Sequence, residues 1–204
     1  SLKGDVKRAN EYLFRAVENG FDSTDKLEHD PDLRNVRSQI RLDELVQLAE
    51  DLKLHHSGWQ GVKSWFFGKG SEVEAWRETI PQYRAMTQKY PQLGRTWFNL
   101  GYAQLQAGEN NASAQSFQRA LQLGYRPGAS TYNVACAYAR GHQNDAAFAW
   151  LQKAREIGFN LHGYLEDDDD LDNLHDDPRW RELERQVRLD KQLRIKLDEA
   201  DEIY

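Results

Sequence analysis

The chain has 204 residues, and its 27 Lys and Arg against 33 Asp and Glu give a net charge of −6 at neutral pH. Binding to nucleic acid phosphates needs a basic face, so this charge argues against nucleic acid as the main partner. No run of about 18 apolar residues is present and no signal peptide opens the chain, so we expect no membrane span.

The first residue and the cysteine count add two expectations. Ser1 is not an initiator Met, which is compatible with a processed protein or with a piece of a longer one. Cys136 is the single cysteine, so no disulfide can form within the chain. Both the cytoplasm and the periplasm are compatible with this composition.

Residues 1–57 are predicted to form an N-terminal helical module. Apolar side chains recur at helical spacing over residues 5–19, which predicts one helix there. Gly20-Phe21 should end that helix, because glycine can adopt the left-handed conformation and the aromatic residue can fold back on the last turn. An acidic loop over residues 27–33 and a second helix complete the module.

Two features that follow this module allow more than one interpretation. His55-His56 could be half of a metal site, but no ligand follows at metal-binding spacing, so a surface location is favoured. A group of large aromatic residues allows two interpretations: an exposed anchor for a partner or for a membrane surface, and the buried face of a short helix. The buried face is favoured, because most large aromatic side chains are largely buried. The group consists of Trp59, Trp65, Phe66 and Phe67.

Residues 58–93 are predicted to be a degenerate helical repeat. The stretch Ser71-Glu72-Val73-Glu74 has the form of a capping box and predicts a helix start. Pro81 should kink or divide that helix, since proline removes a backbone donor and collides with the preceding turn. Tyr90-Pro91 is expected to end it.

A pattern with a step of 34 residues organises residues 94–161. The recurring pairs include Trp97 and Thr131, Leu100 and Val134, Gly101 and Ala135, Ser113 and Ala147, Phe117 and Leu151, Ala120 and Ala154, and Gly124 and Gly158. Such a step predicts two stacked helix-turn-helix units, because neither helix of a unit can bury its apolar face alone. We expect Ala120 and Ala154 to lie between neighbouring helices.

This pattern resembles the tetratricopeptide repeat (TPR). The resemblance rests on Trp97-Phe98-Asn99-Leu100-Gly101 with Phe117 and Ala120, and on a second copy from Tyr132 to Tyr138 with Ala147, Leu151 and Ala154. It implies an all-α fold, a right-handed superhelix of antiparallel helix pairs. Gln104 and Ser113 depart from the family pattern, in which an aromatic residue and Ala are usual, and this predicts looser packing of the first copy.

Residues 162–204 are predicted to be an acidic loop and a closing helix, with 15 acidic and 7 basic residues. They repeat the N-terminal pattern at an offset of 138 and resemble the closing segment of many bacterial TPR proteins. Asp168, Asp170 and Asp172 have the alternate spacing of a calcium loop, but Asn173 and Arg179 stand where Gly and Glu are needed. Helix capping and solvation are therefore favoured, and no metal or cofactor is predicted.

The resemblance implies a concave groove lined by exposed positions on the first helix of each repeat. The candidate positions are Arg95, Phe98, Asn99, Tyr102, Gln106, Tyr132, Asn133, Cys136 and Arg140. Aromatic rings can bury a partner peptide, and Arg95 and Arg140 are expected to select acidic or C-terminal groups. An equally weighted alternative is that Phe98, Tyr102 and Tyr132 pack on helices of the same chain.

Cys136 lies at a packing position of a predicted helix with no His or Asp adjacent in sequence, so a small buried thiol is favoured over a nucleophile. No catalytic motif is recognisable, and we therefore expect no enzyme activity. The leading hypothesis is a scaffold that binds a peptide or helix of a partner protein. One alternative is homo-oligomerisation through the terminal helices, because the first helix has no partner helix before it in this sequence. Another is a regulatory or substrate-recruiting part of a larger enzyme.

Overall fold

A computed structural model describes residues 6–18, 21, 29, 31–33, 44–52 and 72–201. All regular secondary structure in these ranges is helical, which confirms the all-α prediction for this part of the chain. The chain divides into two compact units, Ser1–Ser71 and Glu72–Tyr204. The histidine pair at 55–56, the aromatic group at 59–67 and the first residue of the capping box lie outside the described residues.

The first unit begins with helix α1, Val6–Glu18, close to the predicted bounds. Ala9 and Val17 on its predicted apolar face are buried, and the backbone N–H of Phe21 donates to the carbonyl of Ala16 at 2.9 Å. Leu33, in a short 3-10 helix, packs against Ala9. Residues 44–52 are helical, as the sequence predicted, and bury Leu45, Leu48, Ala49 and Leu52.

The second unit contains seven α-helices in its described residues, 72–201. They are α2 (Glu72–Lys89), α3 (Gly94–Gln106), α4 (Asn110–Gln122), α5 (Pro127–Arg140), α6 (Asn144–Glu156), α7 (Tyr164–Asp167) and α8 (Pro178–Asp201). A 3-10 helix, Asp169–Leu174, follows α7. From α2 to α6 each helix packs on the next, and α4 and α6 begin and end 34 residues apart, as the repeat predicts.

Helix α2 runs through Pro81 without being divided. The sequence predicted a kink or a division there, and the division is wrong. Proline removes one helical hydrogen bond, but Trp76, Ile80 and Tyr83 bury one face of α2 on both sides of the ring. Burial of this continuous face stabilises the helix against the local loss.

Four helix ends in the second unit adopt the same C-terminal cap. After α4, the N–H of Tyr125 donates to the carbonyl of Ala120 at 3.0 Å, and Gly124 has a φ of +76°. This is the Schellman arrangement, in which a left-handed residue reverses the chain and satisfies free carbonyls of the last turn. Gly108 and Gly158 occupy the left-handed position after α3 and α6, whereas His142 occupies it after α5 with a φ of 54°.

The helix crossings bury the small residues that the repeat pattern identified. Ala120 and Ala154 are both 0% exposed, as predicted. In α8, Trp180, Leu183 and Val187 form the predicted inward face and join the core of the second unit. The helical pairs α3–α4 and α5–α6 therefore form one continuous apolar core with the segment that follows them.

Buried polar residues occupy the crossing of α3 and α4. Ser113 Oγ donates to the carbonyl of Gly101 at 2.7 Å, and Ser116 Oγ donates to Gln104 Oε1 at 2.7 Å. Gln104 and Ser113 are the two residues for which the sequence predicted looser packing. Because Gln104 and both serines are buried and hydrogen-bonded, the crossing accommodates them without leaving these side-chain oxygens unpaired.

Candidate binding pocket between α3 and α5

Helices α3 and α5 form one side of a pocket of about 720 Å³, which we call the α3–α5 pocket. The loop after α6, helix α7 and the start of the following 3-10 helix form the other side. The lining residues are Tyr102, Leu105, Gln106, Ala129, Tyr132, Asn133, Phe159, Gly163, Tyr164, Asp167, Asp168, Asp169 and Asp170. Its volume lies within the range of about 300–1,000 Å³ that is typical of ligand sites.

The predicted groove residues fall into two groups. Tyr102, Gln106, Tyr132 and Asn133 line the α3–α5 pocket. Those that do not line it are Arg95, Phe98, Asn99, Cys136 and Arg140. A pocket therefore lies on the face that the repeat pattern indicated, but it uses the C-terminal turns of α3 and the N-terminal half of α5 rather than the whole inner face.

The acidic segment after α7 covers part of that face. Tyr132 Oη donates to Asp168 Oδ2 at 2.6 Å, and Arg140 Nη1 lies 3.1 Å from Asp170 Oδ1 in an ion pair. Tyr132 and Cys136 are consequently only 3% and 1% exposed. Their assignment as exposed groove positions is wrong, because residues more than thirty positions later in the chain fold back over them. Their burial agrees with the other two interpretations of the sequence, a small buried thiol at Cys136 and packing of Tyr132 within its own chain.

The ion pair also changes the role expected of Arg140. Its guanidinium already has a carboxylate partner, and both side chains are mostly shielded from solvent. A charged hydrogen bond in such a setting is stronger than one between exposed groups. This pairing argues against the expectation that Arg140 selects an acidic group of a partner.

The acidic segment is organised by its own hydrogen bonds. Asp168 Oδ1 accepts the backbone N–H of Asp170 at 3.0 Å and so caps the 3-10 helix. Helix capping was the interpretation favoured by the sequence for this run of carboxylates. Burial raises the pKa of the Asp170 carboxyl, and the neighbouring charge of Asp168 raises it further, while Arg140 opposes both effects.

Cys136 lies beneath this segment with its Sγ and carboxylate oxygens of Asp168 and Asp170 all within 4.8 Å of one another. Burial, and then the charges of Asp168 and Asp170, raise the pKa of the Cys136 thiol well above its ordinary value. A protonated, buried thiol is a poor nucleophile and a poor metal ligand. Hydrogen bonds from Tyr132 and the ion pair with Arg140 account for where the two carboxylates lie, so we assign no metal there.

Aromatic rings form the second component of the pocket wall. Tyr132, Phe159 and Tyr164 contact one another with ring centroids 4.9 to 5.4 Å apart. Tyr164 is 46% exposed, and Tyr102 contacts Trp76 edge-on at 5.6 Å. The sequence identified Phe159 only as a helix stop and did not identify Tyr164, because their contacts with Tyr132 form only in the folded chain.

Phe98 has a structural role within the first repeat. Its ring packs edge-on against Phe117 at 5.2 Å and against Tyr125 at 5.5 Å. This placement agrees with the alternative that Phe98 packs on helices of its own chain. Burial raises the pKa of the Tyr102 hydroxyl, and the charge of Asp170 adds to that effect.

Comparison with known proteins adds no assignment to this geometry. No protein-family model matches the chain, and no curated protein matches it. Among the residues that the structure describes, no helix combines the length and apolarity needed to cross a bilayer.

Proposed function

We propose that this chain is a non-catalytic protein-interaction module of tetratricopeptide type, a right-handed superhelix that binds a peptide or helix of a partner protein in the α3–α5 pocket. The observation that carries the proposal is the pocket itself, about 720 Å³ and bounded by the inner helices of two consecutive repeats. Stacked helical hairpins commonly bind partners along such a face.

The chemistry of the wall supports a peptide as the ligand. Partly buried aromatic rings of Tyr102 and Tyr164 can cover apolar side chains, while the amides of Gln106 and Asn133 can bond to backbone groups. Hydrogen bonds to main-chain groups recognise an extended or helical segment with little dependence on its side chains. Burial and the nearby carboxylates raise the pKa of the Cys136 thiol, so this residue is disfavoured as a nucleophile.

A selection from a displayed library of random peptides on the immobilised chain tests this proposal. Peptides recovered on the wild type should bind the double variant Gln106→Ala with Asn133→Ala about tenfold more weakly. This variant lacks the two side-chain amides that would bond to the peptide. The matched control is Gln115→Ala with Gln122→Ala, which removes two exposed amides of α4 that do not line the pocket. If every recovered peptide binds both double variants equally well, the α3–α5 pocket is not the binding site.

A second candidate function, self-assembly, is favoured by the outer face of α8. Leu189, Leu193 and Leu197 recur every four residues there and are 50%, 59% and 57% exposed. Apolar residues at this spacing can pack against a second helix, and a second copy of the chain would supply one.

Sedimentation over a range of concentrations tests self-assembly. We expect dimers for the wild type and monomers for Leu189→Glu with Leu193→Glu, whereas Ile195→Glu, on another side of α8, should leave the dimer intact. A wild type that stays monomeric at the highest concentration would remove this candidate.

A further inference from the structure

The wall of the α3–α5 pocket opposite the helices carries four consecutive carboxylates, Asp167 to Asp170. Arg140 is the only cation paired with them among the described residues, and it contacts Asp170. Asp168 accepts hydrogen bonds from a neutral hydroxyl and a backbone N–H. Asp167 and Asp169 are exposed and take part in no ion pair within residues 72–201. Within residues 72–201, the pocket wall therefore carries negative charge that is only partly paired with a cation.

The aromatic side of the pocket complements this charge. The face of a tyrosine or phenylalanine ring attracts a cation and also covers the methylene groups of a long basic side chain. Tyr102 and Tyr164 line the same pocket as the four carboxylates, and Tyr164 is 46% exposed. An aromatic surface next to unneutralised carboxylates suits a group with an apolar stem and a positively charged end.

We propose that the α3–α5 pocket selects a basic side chain, Lys or Arg, of the partner peptide. This inference rests on the proposed function, because it specifies what the same pocket recognises. The stem of the basic residue lies along the rings of Tyr102 and Tyr164, and its charged end faces Asp167 and Asp169. Complementary charge favours basic partners and rejects acidic ones, since like charges at a partly buried site are repelled.

The composition of the peptides from the library selection is the first test. Peptides whose binding is weakened by Gln106→Ala with Asn133→Ala should be enriched severalfold in Lys and Arg over the starting library. Replacing the enriched basic residue of one such peptide by norleucine, which keeps the stem and removes the charge, should weaken binding about tenfold. Replacing it by Glu should weaken binding further.

Charge neutralisation on the protein side is the second test. Asp167→Asn with Asp169→Asn should weaken binding of the basic peptide about fivefold to tenfold and reduce its dependence on salt concentration. The matched control is Asp172→Asn with Asp176→Asn, which removes the same charge from exposed positions of the same segment outside the pocket. Neither pair includes a residue that anchors the segment to α5.

The outcomes separate this inference from the proposed function. Pocket-dependent peptides without basic enrichment, or equal loss of affinity for the two double variants, would overturn the inference and leave the peptide-binding proposal intact. A selection that yields no pocket-dependent peptide would overturn both. Pocket-dependent basic peptides that are weakened only by Asp167→Asn with Asp169→Asn would support both.

Discussion

The helical pairs α3–α4 and α5–α6 cross in the same relative position with different side chains. In the first pair Gly101 faces Phe117, and a Cβ on Gly101 would lie 3.0 Å from atoms of that ring. In the second pair the corresponding residues are Ala135 and Leu151, both fully buried. Glycine with phenylalanine and alanine with leucine have similar combined volumes, so each pair fills the crossing in a close-packed core.

The inner faces of the two repeats differ in how far other parts of the chain cover them. Tyr132 and Arg140 of α5 bond to Asp168 and Asp170, so the acidic segment covers that helix. The corresponding positions in α3, 34 residues earlier, are Phe98 and Gln106. Phe98 has no hydroxyl to donate, and Gln106 has no charge with which to form an ion pair. One scaffold thus has a covered helix and a more open one, and the α3–α5 pocket lies between them.

The largest expected effect on stability comes from removing the buried aromatic ring at the crossing of α3 and α4. Phe117→Ala should lower the free energy of unfolding by about 3–5 kcal/mol, because a fully buried ring is lost and Gly101 provides no side chain to fill the cavity. Urea unfolding followed by circular dichroism measures the change.

A double-mutant cycle tests whether Gly101 and Phe117 act as a pair. The combination Gly101→Ala with Phe117→Leu introduces the residues of the second crossing, so it should be more stable than the sum of the single changes predicts by at least about 0.5 kcal/mol. Strict additivity would contradict the volume argument.

The next largest effect is expected at the contact that covers α5. Tyr132→Phe introduces the residue type of the first repeat and removes the hydroxyl that donates to Asp168. A lost hydrogen bond to a charged group should lower the unfolding free energy by about 1.5–3 kcal/mol.

Tyr164→Phe is the control for that change, since its side chain is exposed and forms no hydrogen bond within residues 72–201. We expect a change within about 0.5 kcal/mol for the control in the same urea titration. Equal effects for both variants would show that the bond between Tyr132 and Asp168 contributes nothing to stability.

A smaller effect is expected in the polar crossing of the first repeat. Ser116→Ala removes the donor to Gln104 Oε1 and leaves a buried amide oxygen unpaired, which should cost about 1–2 kcal/mol. Adding Gln104→Leu removes the unpaired group and should restore most of the loss. If the double variant is no more stable than Ser116→Ala alone by thermal unfolding, the hydrogen bond is not the cause.

The smallest effect is expected at the left-handed helix ends. His142 adopts a φ of 54°, while Gly108 adopts a φ of 80° at the corresponding position of the first repeat. His142→Gly should stabilise the chain by about 0.5–1 kcal/mol, because glycine adopts this conformation without a steric penalty. The reciprocal change Gly108→His should lower the Tm, and a higher Tm for Gly108→His would contradict the strain argument.

Local patterns in the sequence predicted the helices well. The apolar spacing over residues 5–19 corresponds to α1 at Val6–Glu18, and the 34-residue step corresponds to the matching bounds of α4 and α6. Glycine followed by an aromatic residue correctly indicated the ends of α4 and α6. Each of these signals depends on contacts within one turn or between adjacent helices, so a short stretch of sequence contains the necessary information.

The pocket could be predicted only in part. Tyr102, Gln106, Tyr132 and Asn133 were found because helical spacing determines which side of α3 and α5 they share. The burial of Tyr132 was only one of two equally weighted alternatives, and the ion pair of Arg140 was missed, because their partners lie 36 and 30 residues further along the chain. No periodicity links such positions, and only the packed arrangement of helices brings them together.

The amino-acid sequence by itself determined that this chain is helical, where its repeat helices end, and which small residues lie at the crossings. Tertiary structure alone decided that the acidic segment folds over α5 and leaves α3 more open. The physical reason is the distance between partners along the chain. Helix formation and capping depend on neighbours a few residues away, whereas the bonds of Asp168 and Asp170 to a hydroxyl and a guanidinium form only after the helices have packed.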